Sequence, residues 1–473
     1  MNNSLTVRPV MTVFTDEQIQ RVHAYSLRIL AEVGIRVDSH RALQYFANAD
    51  GASIDGDRVK IQPELVEWAI KTAPHSIEIY TRKGEKSFCL GQDSTRFGVG
   101  VTNLFYQEPD SDRVTPFTRK HMGIGARLGE SLDAYDLVST IGVLRDAPIG
   151  EEDLLGTLEM AANTHKPLVL LISDASQFVP VLELLEHLVG DLAEKPFAIP
   201  YFNPVTPLVI NQDTGDKMLD AIERGLPIIY SNYGMAGTTT PITPSGALAL
   251  LNAELLAGLV LSQLVKQGTR IILGSLPAFF HMKVMIDFYD PHTILLNAAC
   301  SEMMAYYKIP HAGTSGSGSG WGMDLPASGI LWMNHISACL GKTGLSPFVG
   351  GSLGSKAFSP TCVVYANDII MQARRFADGF CLDDLSVGMD EISAAGPGGN
   401  YLTARSTRKN YQSAYFESQI FPHLSLEKWQ EKSQPTAEKY LVDKTMQLIT
   451  DAKPPEDHDE IIHRGEVFIR NIK

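Results

Sequence analysis

Cysteine is scarce in this chain of 473 residues. Only Cys89, Cys300, Cys339, Cys362 and Cys381 occur, an odd number with no Cys-x-x-Cys pair. A disulfide framework is excluded, no metal-site spacing is present, and reduced thiols in a cytoplasm fit the pattern. Positive charge is also short: Lys and Arg number 40 against 54 Asp and Glu, a formal charge of −14. An acidic surface repels polyphosphate, so nucleic acid is not expected as a partner. Long apolar runs are missing too. The most apolar stretch, LALLNAELLAGLVL (248–261), is broken by Asn252 and Glu254 and falls short of the ~20 residues of a membrane span. The amino terminus, MNNSLTVRPVMTVF, has neither the basic start nor the apolar core of a signal peptide. These absences predict a soluble cytoplasmic protein without a membrane contact.

The usual catalytic signatures are absent as well. There is no HExxH and no acid pair at candidate strand ends, while Asp383 and Asp384 read as part of a solvated turn. The only Gly-Lys-Thr, Gly341 to Thr343, has Ile336 where a phosphate loop needs its first glycine. The run GTSGSGSG (313–320) lacks the glycine spacing of a dinucleotide fingerprint.

What is present is a regular alternation. Short apolar runs at 96–101, 136–144, 167–173, 197–202, 226–232, 269–275, 309–313 and 346–351 are separated by segments of helical period, such as EEDLLGTLEMAAN (151–163). Continuous apolar strands such as PLVLLIS are buried on both faces, as in a parallel sheet covered by helices. Eight such units close a (β/α)8 barrel, with an open doubly wound sheet as the alternative. The expectation is an α/β fold, a barrel over 91–380, with an amino-terminal extension (1–90) and a mostly helical carboxyl-terminal extension (381–473) packed on it.

Barrel enzymes keep their chemistry at the carboxyl ends of the strands, and polar and aromatic residues gather there. Strand 4 leads to Tyr201, Asn203 and Thr206, strand 5 to Tyr230 and Tyr233, and strand 6 to Phe279, Phe280, His281 and Lys283. Strand 7 runs into HAGTSGSGSGW (311–321). By composition that run could be a flexible linker, but a linker there would cut the barrel in two, so a βα loop at the active-site rim is the other reading. Each aromatic alone reads as core; several at consecutive strand ends point to a pocket that holds a cation on π faces. His311 reads either as a core histidine or as a ligand contact.

Four segments carry a resemblance: AYSLRILAEVGIRVDSHRAL (24–43), VGVTNLFYQEPDSDRVTPFTRKHM (99–122), AYYKIPHAGTSGSGSG (305–320) and RRFADGFCLDDLSVGMDEISAAGPGGNYL (374–402). They are similar to the trimethylamine:corrinoid methyltransferase family over nearly the whole chain, the last with its GPGG turn being the most specific. The founding trimethylamine enzyme carries a pyrrolysine, and no nonstandard residue occurs here. In such members the resemblance implies a barrel and a quaternary amine substrate, glycine betaine first, with carnitine, proline betaine or γ-butyrobetaine as alternatives. It also implies a separate corrinoid protein as methyl acceptor, no tightly bound cofactor or metal of the chain's own, and a homo-oligomer. A betaine-binding protein without turnover is the reading from another class. No catalytic acid or base is expected, because a quaternary nitrogen leaves as a neutral amine; binding and positioning suffice.

On that reading the cation side is Tyr201, Tyr230, Tyr233, Phe279, Phe280 and Trp321. The carboxylate side is His311, Ser315 and Thr206, with His281, Lys283 and Asn203 in reserve. Gly316, Gly318 and Gly320 form the loop that the corrin ring approaches, glycine-rich so that backbone can come close.

Overall fold

The computed structural model describes residues 5–92, 94–313 and 320–472. Eight strands run β1 (Arg96–Val99), β2 (Leu137–Ser139), β3 (Leu168–Leu170), β4 (Ala198–Phe202), β5 (Ile228–Ala236), β6 (Ile271–His281), β7 (His311–Gly313) and β8 (Leu345–Val349). Each is followed by its helix: α1 (Arg119–Ser131), α2 (Glu152–Asn163), α3 (Ala175–Val189), α4 (Gln212–Glu223), α5 (Pro244–Val265), α6 (Pro291–Tyr307), α7 (Leu325–Leu340) and α8 (Pro360–Asp378). Every neighbouring pair is parallel and β8 returns to β1, so the sheet closes on itself. This is the (β/α)8 barrel that the alternation predicts, and the open sheet is excluded.

The later helices begin where their sequences dictate. Thr243-Pro244, Asp290-Pro291, Asp324-Leu325-Pro326 and Ser359-Pro360 each place a capping residue before an early proline. The cap side chains of Asp290, Asp324 and Ser359 accept the orphan amides of Thr293, Ala327 and Cys362.

The barrel interior is a layer of Leu137, Val169, Ile199, Ile229, Ile272, Ala312 and Leu345, with Tyr201 and Phe348 above it. A hairpin, Ile77–Tyr80 with Lys86–Leu90, supplies Ile77, Ile79, Phe88 and Leu90 to the same layer. Hydrogen bonds from Tyr80 N to Pro196 O and from Arg82 N to His165 O tie the hairpin to the starts of β4 and β3, so it plugs the amino-terminal end of the barrel. The lumen is thereby open to chemistry at its carboxyl end alone.

Contrary to the expectation from the 248–261 stretch, helix α5 as a whole is long and apolar enough to cross a membrane by length and composition. It is apolar all round because it is covered on all sides. Tyr230 packs on it at Gly258, where an added Cβ would lie 2.2 Å from the ring, and Ser26 of the amino-terminal helix Asp16–Arg28 donates to Ala249 O at 3.0 Å. At the other end of the chain, helix His458–Asn471 lies on α2, with Gly465 against Leu158. Asp457 at its start binds the buried Arg82 at 2.7 Å.

Strands β5 and β6 outrun the barrel. They stay paired from Ile228↔Ile271 to Ala236↔Phe279, and β6 then turns back through Ile286–Phe288. This ribbon stands beside the mouth and brings Asp287 and Tyr289 over it.

Candidate active site at the carboxyl end of the barrel

Strand alternation decides which side chains can meet in the lumen. On β4, Ile199 and Tyr201 belong to the inner layer. Tyr201 sets its ring edge-on to Phe348 with centroids 5.2 Å apart, and its hydroxyl is buried without a hydrogen-bond partner among the described residues. On β5, Ile229, Ser231 and Tyr233 share the inner face. Ser231 pairs in register with Gly274, where a Cβ would come within 2.7 Å of Ser231 Oγ. The hydroxyls of Tyr201 and Ser231 are neighbours, but their geometry falls short of a hydrogen bond.

One rung nearer the mouth, Tyr233 donates its hydroxyl to Asp287 Oδ2 at 2.5 Å. Burial, and then the neighbouring Tyr289 and Asp287, drive the Tyr233 phenol well above its ordinary pKa; burial does the same for Tyr201, with Tyr289 adding to it. Both phenols therefore stay protonated and neutral. The mouth thus holds a carboxylate beside aromatic rings and no cationic partner in that hydrogen bond. Such a place favours a cation, each π contact contributing ~0.5–2 kcal/mol.

Behind this wall sits a second acid, and this one is buried. Glu254 of α5 accepts from Thr206 Oγ1 and Asn232 Nδ2 at 2.9 Å each and from Leu208 N at 2.5 Å. Asn232 in turn accepts from Ser275 Oγ at 2.7 Å. Burial pushes the Glu254 carboxyl up to about 7 against the pull of these donors. The network ties the β4–α4 loop, β5 and β6 together on the outer side of the barrel.

The structure brings some of the sequence candidates together and sends others elsewhere. Tyr201 and Tyr233 face the lumen. Phe280 has the parity of Gly274 and Leu276 on β6 and pairs with Asp287, on the mouth side of the ribbon. Asn203 is exposed at the rim, where its amide, turned to donate, reaches Ser231 O at 3.2 Å.

Tyr230 does not join the site; it points outward onto α5, as the residue between two inward ones must. Phe279 also points outward, into a cluster with Leu248, Leu296 and Cys300. Thr206 is committed to Glu254. His311 is the outward neighbour of inner Ala312: a Cβ on Gly313 would meet both the His311 ring and Asn297 of α6 at 2.8 Å. Burial lowers its pKa to about 3, so it is neutral, and among the described residues neither ring nitrogen has a hydrogen-bond partner. His281 and Lys283 occupy the exposed tip of the ribbon, and Trp321 is 80% exposed. Gly320 has φ +93, a conformation that glycine tolerates. Ser315, Gly316 and Gly318 lie outside the described residues.

Ser231, Asp287, Tyr289, Phe348 and Glu254 escape the sequence reading. Parity along IIYSNYG would have found Ser231, and a lone glutamate inside LALLNAELLAGLVL signals a partnered buried carboxylate. Asp287 arrives only through the return of the ribbon, which no local pattern announces.

Comparison with known proteins agrees with this architecture. The solved monomethylamine methyltransferase of Methanosarcina barkeri superposes with a TM-score of 0.53 at 11% identity, covering 94% of this chain and 89% of that one. The glycine betaine methyltransferase of Desulfitobacterium hafniense (strain Y51) is 25% identical over 466 residues, 98% of this chain and 97% of that protein. The proline betaine:corrinoid methyltransferase of Eubacterium limosum is 26% identical over 421 residues, 85% of each chain. The family model for trimethylamine methyltransferase matches residues 2–470. With its closed barrel and its match from end to end, the chain belongs to the trimethylamine methyltransferase family.

Proposed function

We propose that this protein transfers a methyl group from glycine betaine to the corrinoid of a separate partner protein, releasing dimethylglycine. The observation that carries the reading is the pairing of Tyr233 with Asp287 over a lumen lined by Tyr201 and Phe348. It is a cation site, and the transfer calls on no acid–base machinery beyond it. A quaternary ammonium needs none: the carbon–nitrogen bond breaks with its electron pair going to nitrogen, and the methyl is taken up by the partner's reduced corrinoid, a co-substrate. The chain's own task is to hold the ammonium so that one methyl faces outward, which is catalysis by orientation. Relatives named for glycine betaine and for proline betaine support the substrate class. The comparable identity of the second keeps proline betaine as the other candidate.

The corrinoid protein would dock over the carboxyl-terminal rim, near the ribbon and the loop after β7. We further propose a cytoplasmic homo-oligomer without tightly held corrinoid of its own. Purified protein is to be mixed with glycine betaine and cob(I)alamin and followed by visible spectroscopy. Conversion to the methylated spectrum supports the proposal. An unchanged spectrum with saturable betaine binding would mean a binding protein without turnover.

A further inference from the structure

Inner positions of a parallel barrel are usually apolar side chains in layers, and most of this lumen obeys. Ser139 faces inward and is satisfied, donating to Pro347 O at 2.7 Å. Tyr201 and Ser231 are different. They are 8% and 1% exposed, Ser231 stands one inner position nearer the mouth than the Ile229 that pairs with Tyr201, and among the described residues neither hydroxyl has a hydrogen-bond partner. A buried hydroxyl left in that state costs ~1–3 kcal/mol, and two adjacent ones ask for a missing acceptor. Ser346 is also unpartnered, but it pairs in register with outward-facing Phe97 and belongs to the helix side of β8.

The surroundings say what kind of acceptor fits. Both groups are neutral donors, and Gly274, having no side chain, leaves the rung beside Ser231 to the serine hydroxyl. Ser231 and Tyr233 lie two residues apart on one face of β5, ~6.6 Å along the strand. Tyr233 with Asp287 therefore forms an electronegative pole nearer the mouth, above a pole of hydrogen-bond donors. The lumen is polarised along its axis. A ligand with an anionic group at one end and a permanent cation at the other matches it in one orientation.

Resting on the proposed quaternary amine chemistry, we infer that Tyr201 and Ser231 receive the substrate's carboxylate at the deep end of the lumen, while Tyr233, Tyr289 and Asp287 surround its ammonium at the mouth. The orientation turns the N-methyl groups outward, toward the rim where the acceptor must come. It makes the two hydroxyls specificity determinants for carboxylated quaternary amines.

Calorimetric titration of the full-length protein with glycine betaine and with tetramethylammonium tests the assignment, comparing wild type with Tyr201→Phe and Ser231→Ala. The affinity ratio of glycine betaine to tetramethylammonium falls about tenfold or more in each variant, the loss expected for a hydrogen bond to a charged group. Asp287→Asn weakens both ligands together. The phenylalanine keeps the edge-on contact with Phe348, and Ser231→Ala carries the test if Tyr201→Phe does not fold. Equal weakening of both ligands at an unchanged thermal midpoint overturns the inference, as does a wild type that binds tetramethylammonium as tightly as glycine betaine. Preference for a larger carboxylated quaternary amine, with the same fall of the ratio in the variants, displaces glycine betaine as substrate and upholds the donor pole.

Discussion

Thr206 donates its hydroxyl at 2.9 Å to the buried carboxylate of Glu254, two residues before Leu208 gives the same carboxylate its backbone amide. One side chain from α5 thereby fixes the loop that leaves β4 just beyond Tyr201. Because burial raises the carboxyl to about 7, the sign of its pH effect is fixed. The folded state keeps a proton that the unfolded chain releases near 4.5. Its stabilising contribution is therefore complete below that value and lost as pH rises through 7, at up to ~1.4 kcal/mol per pH unit. Urea unfolding at pH 5 and pH 8 should show wild type losing stability relative to Glu254→Gln as pH rises.

Asp287→Asn removes the negative pole of the mouth while keeping an acceptor for Tyr233. The Michaelis constant for a quaternary ammonium should rise about 5- to 20-fold, with kcat changed less, in keeping with ~1–2 kcal/mol of attraction to a partly solvated charge. The difference should shrink at high salt. Steady-state methyl transfer at two ionic strengths checks both points.

Gly258→Ala places a Cβ 2.2 Å from the ring of Tyr230. Since the ring is locked between β5 and α5, overpacking should cost ~1–3 kcal/mol. A lower thermal midpoint is expected, partly restored when Tyr230→Leu is added.

His311 is buried neutral with its pKa lowered to about 3. The unfolded chain takes up a proton near 6.5 that the folded one refuses, so acidification from 6.5 toward 3 favours unfolding, by up to ~1.4 kcal/mol per pH unit. His311→Asn should flatten that part of the stability profile, as read by thermal midpoints across the range. Its effect on the Michaelis constant for glycine betaine should stay within about twofold, since the ring faces α6.

The architecture could be read from the sequence because eight apolar runs alternate with helical segments, and each of them became a barrel strand. The strands' outer limits could not: β5 and β6 extend to Ala236 and His281 through mutual pairing, a long-range contact that local pattern does not encode. The candidate site was half visible. Tyr201 and Tyr233 stand at strand ends in the sequence, but so does Tyr230, and only the pleat separates the inward residue from its outward neighbour. His311 turns outward for the same reason, since Ala312 is the inner residue, which favours the core reading of the two that the sequence left open. Asp287 and Glu254 act through contacts that span dozens of residues and leave no spacing signature.

The central claim is methyl transfer from a carboxylated quaternary amine to a corrinoid acceptor. Its most direct measurement is a single-turnover reaction of the purified protein with glycine betaine and reduced corrinoid, following dimethylglycine and the methylated corrinoid together. The account predicts that the two products appear in equal amounts and that Asp287→Asn slows both at subsaturating substrate. Neither product with glycine betaine or proline betaine, or methylated corrinoid from a tertiary amine in preference to both, would contradict it.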